Sequence, residues 1–324
     1  ISIAISEDDM DYTNYDSSIA ILYFENRGSP DTDYIAYGLT DELITRLSRV
    51  KKLRVAPRMD VAYYKNKQVK IDQVAKELNV DYIVSGSVSI INDEIRVNLE
   101  LTNTATKEIV WSDNISNNLT DIFKVQDDIA EHITSNIDIL FSYTDLMDVQ
   151  KRPTNNFEAY KLVLQASELH FGTKAAASEA EFVLKATPLI EKAIKLDSTY
   201  ADAYSYLALG KIIPTMREDY TEEMDIIFEE CMFLLQKAIS YNPDQELAGG
   251  LSIMIPMAQM QASENFDVFK VRRIAIQMDQ YLSKFPDSPF ALTVVGFFYG
   301  MKYMLFEDEE DVAIALEMSL KSHE

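Results

Sequence analysis

Few residues in this chain have the type and spacing that catalysis or metal binding requires. Its three histidines, His132, His170 and His323, are scattered and have no second ligand at the spacing of zinc sites. The single cysteine, Cys231, occupies a small-residue position of a helical pattern, which predicts a buried, unreactive thiol. The sequence has no glycine-rich phosphate-binding motif. We therefore expect no catalysis, no metal and no cofactor in this chain.

A basic segment between Arg46 and Lys70 stands out in a chain whose net charge is −23. It holds nine bases and one acid, Asp60. The segment could be a solvated surface, a docking surface for a partner or for the acidic half of the chain, or a site for nucleic acid or lipid. The candidate contact residues are its first six bases, Arg46, Arg49, Lys51, Lys52, Arg54 and Arg58.

Two tyrosines at matching positions of a helical pattern, Tyr160 and Tyr204, are further contact candidates. Stacked helical hairpins form a groove lined by the first helix of each hairpin, although these side chains could instead pack between helices. The helical half carries 14 bases and 27 acids. Its charge predicts a protein or peptide partner of basic or amphipathic character, or an organic cation, and argues against nucleic acid. A homodimer is left open.

The first 152 residues show strand and helix patterns in the order βαβαβββα. Residues 1–17 contain five acids and no base, which predicts an acidic linker. An apolar run at 19–24 predicts a strand buried on both faces, and the alternation at 95–101 predicts the middle strand of an antiparallel meander. A helix with an apolar stripe follows at 122–137. The fold class is therefore α+β, with a two-layer domain over residues 18–152.

Residues 153–324 are helical in pattern and repeat with a period near 44 residues. The pair Ala159-Tyr160 recurs as Ala203-Tyr204, and the pattern returns 88 residues later at Ala291. Recurring helix pairs predict stacked helical hairpins, so this half is an all-α repeat domain.

Two family resemblances follow from these residues. The stretches SIAILYFEN at 18–26, YGLTDELI at 37–44, LNVDYIVSGSV at 78–88 and DIFKVQDDI at 121–129 together resemble the TolB amino-terminal-like (FlgO-type) domain. The helical half is similar to tetratricopeptide repeats, with Pro243 and Pro286 at the proline position. It departs from them by placing Ser198 at one such position and by its longer period.

The resemblance implies the sensory or scaffolding part of a bacterial signalling protein. In that family this pair of domains commonly follows a nucleotide-cyclase, winged-helix or kinase effector, often with a membrane helix between them. The most apolar stretch, residues 291–306, is shorter than the roughly 20 residues that span a bilayer, so we expect any membrane helix to lie outside this fragment. A periplasmic location is expected, with the cytoplasm as alternative. The rival functions are an envelope scaffold and an enzyme with an unrecognised carboxylate site.

Overall fold

The computed structural model describes residues 15–50, 52–65, 67, 69–137, 139, 141–171, 179–217, 221–262, 267–285 and 288–306. The chain divides into two compact units, Ile1–Arg152 and Pro153–Glu324. We call the first the α/β unit and the second the helical unit. The predicted fold class, a mixed α/β domain followed by an all-helical region, is confirmed.

The sheet of the α/β unit is mixed. Its strands are β1 (Ser17–Ile21), β2 (Glu25–Asn26), β3 (Leu53–Val55), β4 (Tyr82–Ile91), β5 (Glu94–Asn103) and β6 (Ile109–Asn118). The strand order is β3-β1-β4-β5-β6, and the short β2 also pairs with β4. β1 runs parallel to β3 and β4, whereas β4, β5 and β6 form the predicted antiparallel meander. β1 is buried along its whole length, as expected of a central strand.

In the part of this unit that the structure describes, five α-helices accompany the sheet. They are α1 (Asp33–Leu47), α2 (Arg58–Ala62), α3 (Ile71–Leu78), α4 (Ile122–Asn136) and α5 (Tyr143–Val149). The apolar stripe of α4, which includes Ile122, Ile129 and Ile133, is buried as its 3.6-residue period predicts. α1 and α4 pack against each other, and α4 also contacts β6. The side chains between these helices and the sheet form the core of the unit.

The helical unit is built from hairpins. Its helices are α6 (Phe157–Phe171), α7 (Glu179–Leu196), α8 (Ala201–Ile212), α9 (Glu222–Tyr241), α10 (Glu246–Ala262), α11 (Val268–Lys284) and α12 (Pro289–Phe306). The helices α6, α8, α10 and α12 begin at residues 157, 201, 246 and 289, close to the expected period. Within the described residues, no helix is long and apolar enough to cross a membrane.

One hairpin exchanges a large and a small residue between its two helices. In the hairpin of α8 and α9, the large residue Tyr204 is in the first helix and the small residue Ala238 is in the second. In the hairpin of α10 and α11, the corresponding positions hold Gly249 and Tyr281, so the small residue comes first. A Cβ at Gly249 would lie 2.9 Å from the Tyr281 ring, so the glycine makes room for the tyrosine. Ala248-Gly249, which aligns with Ala203-Tyr204, therefore belongs to a further copy of the repeat in which the large residue lies on the other helix.

Candidate interaction surface

Where the structure describes it, the basic segment does not form one continuous positive surface. Arg46, its first residue, has no exposed side-chain area and lies between α1 and α4. Its guanidinium donates to Glu42 at 2.9 Å, to Asp127 at 2.7 Å and to the Gln126 side chain at 3.1 Å. Although burial opposes it, pairing with these carboxylates raises the pKa of Arg46 further above its usual value. Arg46 therefore stabilises the fold and is corrected as a contact candidate.

Asp127 also pairs with Arg152, the last residue of the α/β unit. The Arg152 guanidinium lies 5.5 Å from the centre of the Phe123 ring. Arg49 donates to the backbone carbonyls of Asp148 and Lys151, both at 3.1 Å. The segment that leaves the α/β unit is thus held to α4 through Arg152 and to the residues just after α1 through Arg49. We call residues 148–152 the exit segment.

Two other candidate bases, Lys52 and Arg54, also have partners within the α/β unit. Lys52 pairs with Asp16 at 2.9 Å. Arg54 donates to the carbonyls of Leu78 and Asn79, where α3 ends. Lys51 lies outside the described residues. The bases thus cap a helix and pair with acids of their own unit, which a count of charges along the sequence does not reveal.

Arg58 belongs to a cluster at the carboxyl ends of β1 and β3, where ligand sites of open α/β sheets commonly lie. Arg58 pairs with Asp41 at 3.0 Å, and the Tyr23 hydroxyl donates to the same carboxylate at 2.6 Å. Burial and the Asp41 carboxylate raise the pKa of Tyr23 far above its usual value, against a lowering by Arg58. Tyr23 therefore stays protonated. Lys65 completes the cluster, with its Nζ 3.3 Å from the centre of the Tyr37 ring.

The rim of this cluster carries two exposed apolar side chains. Met59 and Tyr63 are 66% and 63% exposed and lie four residues apart, on and just after α2. The Lys67 Nζ lies 2.9 Å from the centre of the Tyr63 ring. We call Arg58, Met59, Tyr63 and Lys67 the α2 surface. It mixes apolar area with positive charge, which suits an amphipathic segment that carries acids. Of these four residues, only Arg58 is predicted as a contact from the sequence, although Tyr63 and Lys67 also lie within the basic segment.

The two tyrosine candidates of the helical unit are buried and are likewise corrected. Tyr160 is 2% and Tyr204 5% exposed. The Tyr204 hydroxyl donates to the Ser198 carbonyl at 2.9 Å, and its ring lies 5.9 Å from that of Tyr241. Both side chains pack between helices, which is the alternative that helical spacing alone had left open.

The structure gives no sign of reactivity at the described histidine and cysteine side chains, which pack against other residues of the fold. His132 Nδ1 lies 3.1 Å from an Asp113 carboxylate oxygen, and its ring packs edge-on against Trp111. Cys231 is fully buried, and burial raises the pKa of its thiol to about 11. The His170 side chain and His323 lie outside the described part of the chain. Among the described residues, no group of three or more His, Cys, Asp or Glu is placed to hold a metal ion.

Comparison with known sequences gives two matches. Residues 15–132, which cover the sheet and most of α4, match the family described as the second domain of HilA/YgeH-like transcriptional regulators. The chain is also 30% identical over 193 residues to a putative adenylate cyclase 3 of Rhizobium meliloti (strain 1021). That match covers 59% of this chain and 32% of the cyclase, so the chain spans about a third of that relative. Because 193 residues exceed the length of either unit, the similarity crosses the boundary between them.

Three solved structures show low overall similarity. TolB from Acinetobacter baumannii matches 39% of this chain and 29% of its own at 14% identity, with a TM-score of 0.29. The LpoB C-terminal domain from Salmonella enterica matches 33% and 87% at 17% identity, with a TM-score of 0.26. PelC from Paraburkholderia phytofirmans matches 32% and 71% at 16% identity, with a TM-score of 0.24.

Proposed function

We propose that this chain is the non-catalytic regulatory region of a bacterial signalling protein, which binds a partner and controls an effector domain outside it. One observation carries the proposal. The α/β unit matches a domain of transcriptional regulators, while a stretch that crosses both units is similar to a putative adenylate cyclase. DNA binding and cyclic-nucleotide synthesis are different outputs. A region similar to parts of both is best explained as an input region.

The exit segment supplies a physical route for such control. Arg152 ties this segment to α4 and Arg49 ties it to the residues just after α1, and Asp127 joins Arg152 to the buried Arg46. A partner that shifts α1 or α4 changes the free energy of these contacts and hence the position of residues 148–152. Those residues lead directly into the helical unit.

The α2 surface is the part of the described chain that we propose as a docking site for the partner. Met59 and Tyr63 are largely exposed, so their removal costs little stability and isolates an effect on binding. The full-length protein with Tyr63→Ala and Met59→Ala should lose its response to stimulus and keep its basal effector output. Leu184→Ala, which removes a 75% exposed side chain from the helical unit, is the control and should respond normally. A normal response of the double variant would exclude this docking site.

The chemistry of a second ligand class follows from net charge. A chain at −23 attracts cations, and its helical unit carries most of the acid excess, so we propose an organic cation or basic peptide as a further ligand. Calorimetric titration with spermine should give heat at low salt that declines at high salt. Absence of heat at both, or tighter binding of a polyanion, would contradict this part of the proposal. Periplasmic location stays a prediction.

A further inference from the structure

β6 forms the outer edge of the sheet and is ten residues long. The Leu119 amide donates to the Asp93 carbonyl at 2.7 Å, so odd-numbered residues at this end of the meander direct their backbone groups between β5 and β6. Hydrogen-bonding direction alternates along an antiparallel strand. The amide and carbonyl groups of Ser112, Asn114 and Ser116 therefore point to the outer edge.

This edge has few of the features that prevent strand pairing. Proteins commonly protect edge strands with lysine or proline, and β6 has neither. Its one charge, Asp113, is directed to its own chain. One carboxylate oxygen of Asp113 accepts the Asn114 amide at 2.7 Å, and the other lies 3.1 Å from His132 Nδ1. The pairing of β6 with β5 is regular from Trp111 to Asn118, so no β-bulge interrupts this part of the edge.

The residues along the edge are self-complementary. Ser112, Asn114 and Ser116 are exposed, lie on the same face and read identically in both directions about Asn114. Asn114 is the end of a side-chain ladder in which its Nδ2 donates to Asn98 at 2.5 Å and the Asn98 Nδ2 donates to Ser87 at 3.3 Å. We propose that β6 pairs antiparallel with β6 of a second copy of this chain, with Asn114 opposite Asn114.

In this pairing Ser112 of one copy lies opposite Ser116 of the other, and the Asn114 amide exchanges its local bond to Asp113 for a bond to the Asn114 carbonyl of the second copy. Asp113 faces Ile115 and not a second carboxylate. The sheet becomes continuous across the two copies. Each copy carries a net charge of −23, so electrostatic repulsion between the copies opposes dimer formation. Added salt screens this repulsion and should strengthen the dimer. This pairing does not depend on the proposed function.

Cysteine cross-linking tests the register directly, because the native Cys231 is buried. Hydrogen-bonded partners in antiparallel strands have Cα atoms about 5.5 Å apart, within the range of about 4.4–6.8 Å that a disulfide spans. Asn114→Cys should therefore form a covalent dimer under mild oxidation. Ser112→Cys should not cross-link to itself, since its two copies lie four residues, about 13 Å, apart along the strands. A mixture of Ser112→Cys and Ser116→Cys should form the mixed dimer.

Sedimentation velocity of the chain without introduced cysteines gives a second test. The unmodified chain should show a dimer that grows with salt, Asn114→Lys should be monomeric, and Asn98→Lys on the neighbouring strand should still dimerise. Equal cross-linking of Asn114→Cys and Ser112→Cys would overturn the register. Self-pairing would be overturned if the chain is monomeric at all concentrations or if the Asn114→Cys variant stays unlinked. Either result would also be expected if another protein, and not a second copy, occupies this edge.

Discussion

Removing the Asp127 carboxylate tests the buried network that joins α1, α4 and the exit segment. Asp127→Ala deletes the 2.7 Å bond to Arg46, whose side chain is completely buried, and the pair with Arg152, whose side chain is 36% exposed. A hydrogen bond to a buried charged group contributes about 1.5–3 kcal/mol, and an exposed ion pair at most about 1 kcal/mol. Because Arg46 keeps Glu42, we expect a loss of about 2–3 kcal/mol in the free energy of unfolding.

Urea unfolding followed by tryptophan fluorescence measures this loss in the correct unit. The chain has one tryptophan, Trp111, and it lies in β6, so its signal reports on the α/β unit alone. Asp128→Ala is the matched control, because it removes the same charge from the next position of α4 and gains the same helix propensity. Adding Glu42→Ala to Asp127→Ala leaves Arg46 without a carboxylate, and the total loss should reach about 3–5 kcal/mol.

Equal midpoints for Asp127→Ala and Asp128→Ala, with unchanged slopes, would refute this reasoning. A double variant no less stable than Asp127→Ala would show that Glu42 does not compensate for Asp127. In either case Arg46 would not be the buried charge that anchors the network.

Three further predictions concern the helical unit and are measured by thermal unfolding followed by far-ultraviolet circular dichroism. Tyr281→Phe should raise the free energy of unfolding by about 1 kcal/mol, because the buried Tyr281 hydroxyl has no hydrogen-bond partner among the described residues; a large loss would mean that the hydroxyl is satisfied. Gly250→Ala should lower that free energy by about 1–3 kcal/mol, since its Cβ would lie 2.5 Å from the Phe290 ring. The control Gly300→Ala meets nothing within 4 Å and should be stabilising by about 0.5–1 kcal/mol. Although partial burial opposes it, hydrogen bonds from Thr154 and Thr199 lower the pKa of Asp197. The ionised carboxylate therefore stabilises the fold at pH values above its unfolded pKa, and this stabilisation is lost as the pH falls through its folded pKa. Asp197→Asn should therefore cost stability at pH 7, and a cost that persists undiminished in acid would contradict the assignment.

Sequence periodicity was sufficient for the fold class because burial repeats within a few residues. The alternation of β5 and the stripe of α4 each arise from a face that must contact the core. Strand limits were less accurate. The run at 19–24 predicts one strand, but the structure has β1 at Ser17–Ile21 and a separate short β2 at Glu25–Asn26.

Contact residues could not be predicted in the same way because burial of a charged or aromatic side chain depends on distant partners. The buried Arg46 pairs with Asp127, which is 81 residues away along the chain, and no local sequence pattern predicts this pair. Tyr160 and Tyr204 keep helical spacing whether they face a groove or a neighbouring helix. Leu207 of α8 and Val295 of α12 align through the 88-residue offset of the repeat, yet Val295 is 1% exposed and Leu207 only half-buried.

The central claim, that this chain regulates an effector and does not itself catalyse, is tested most directly by deleting residues 15–306 from the full-length protein. We expect the remaining effector to keep its basal output, measured as cyclic AMP formation or as transcription, and to lose its response to stimulus. A deletion protein that still responds normally would contradict it. So would catalytic turnover by the purified chain alone.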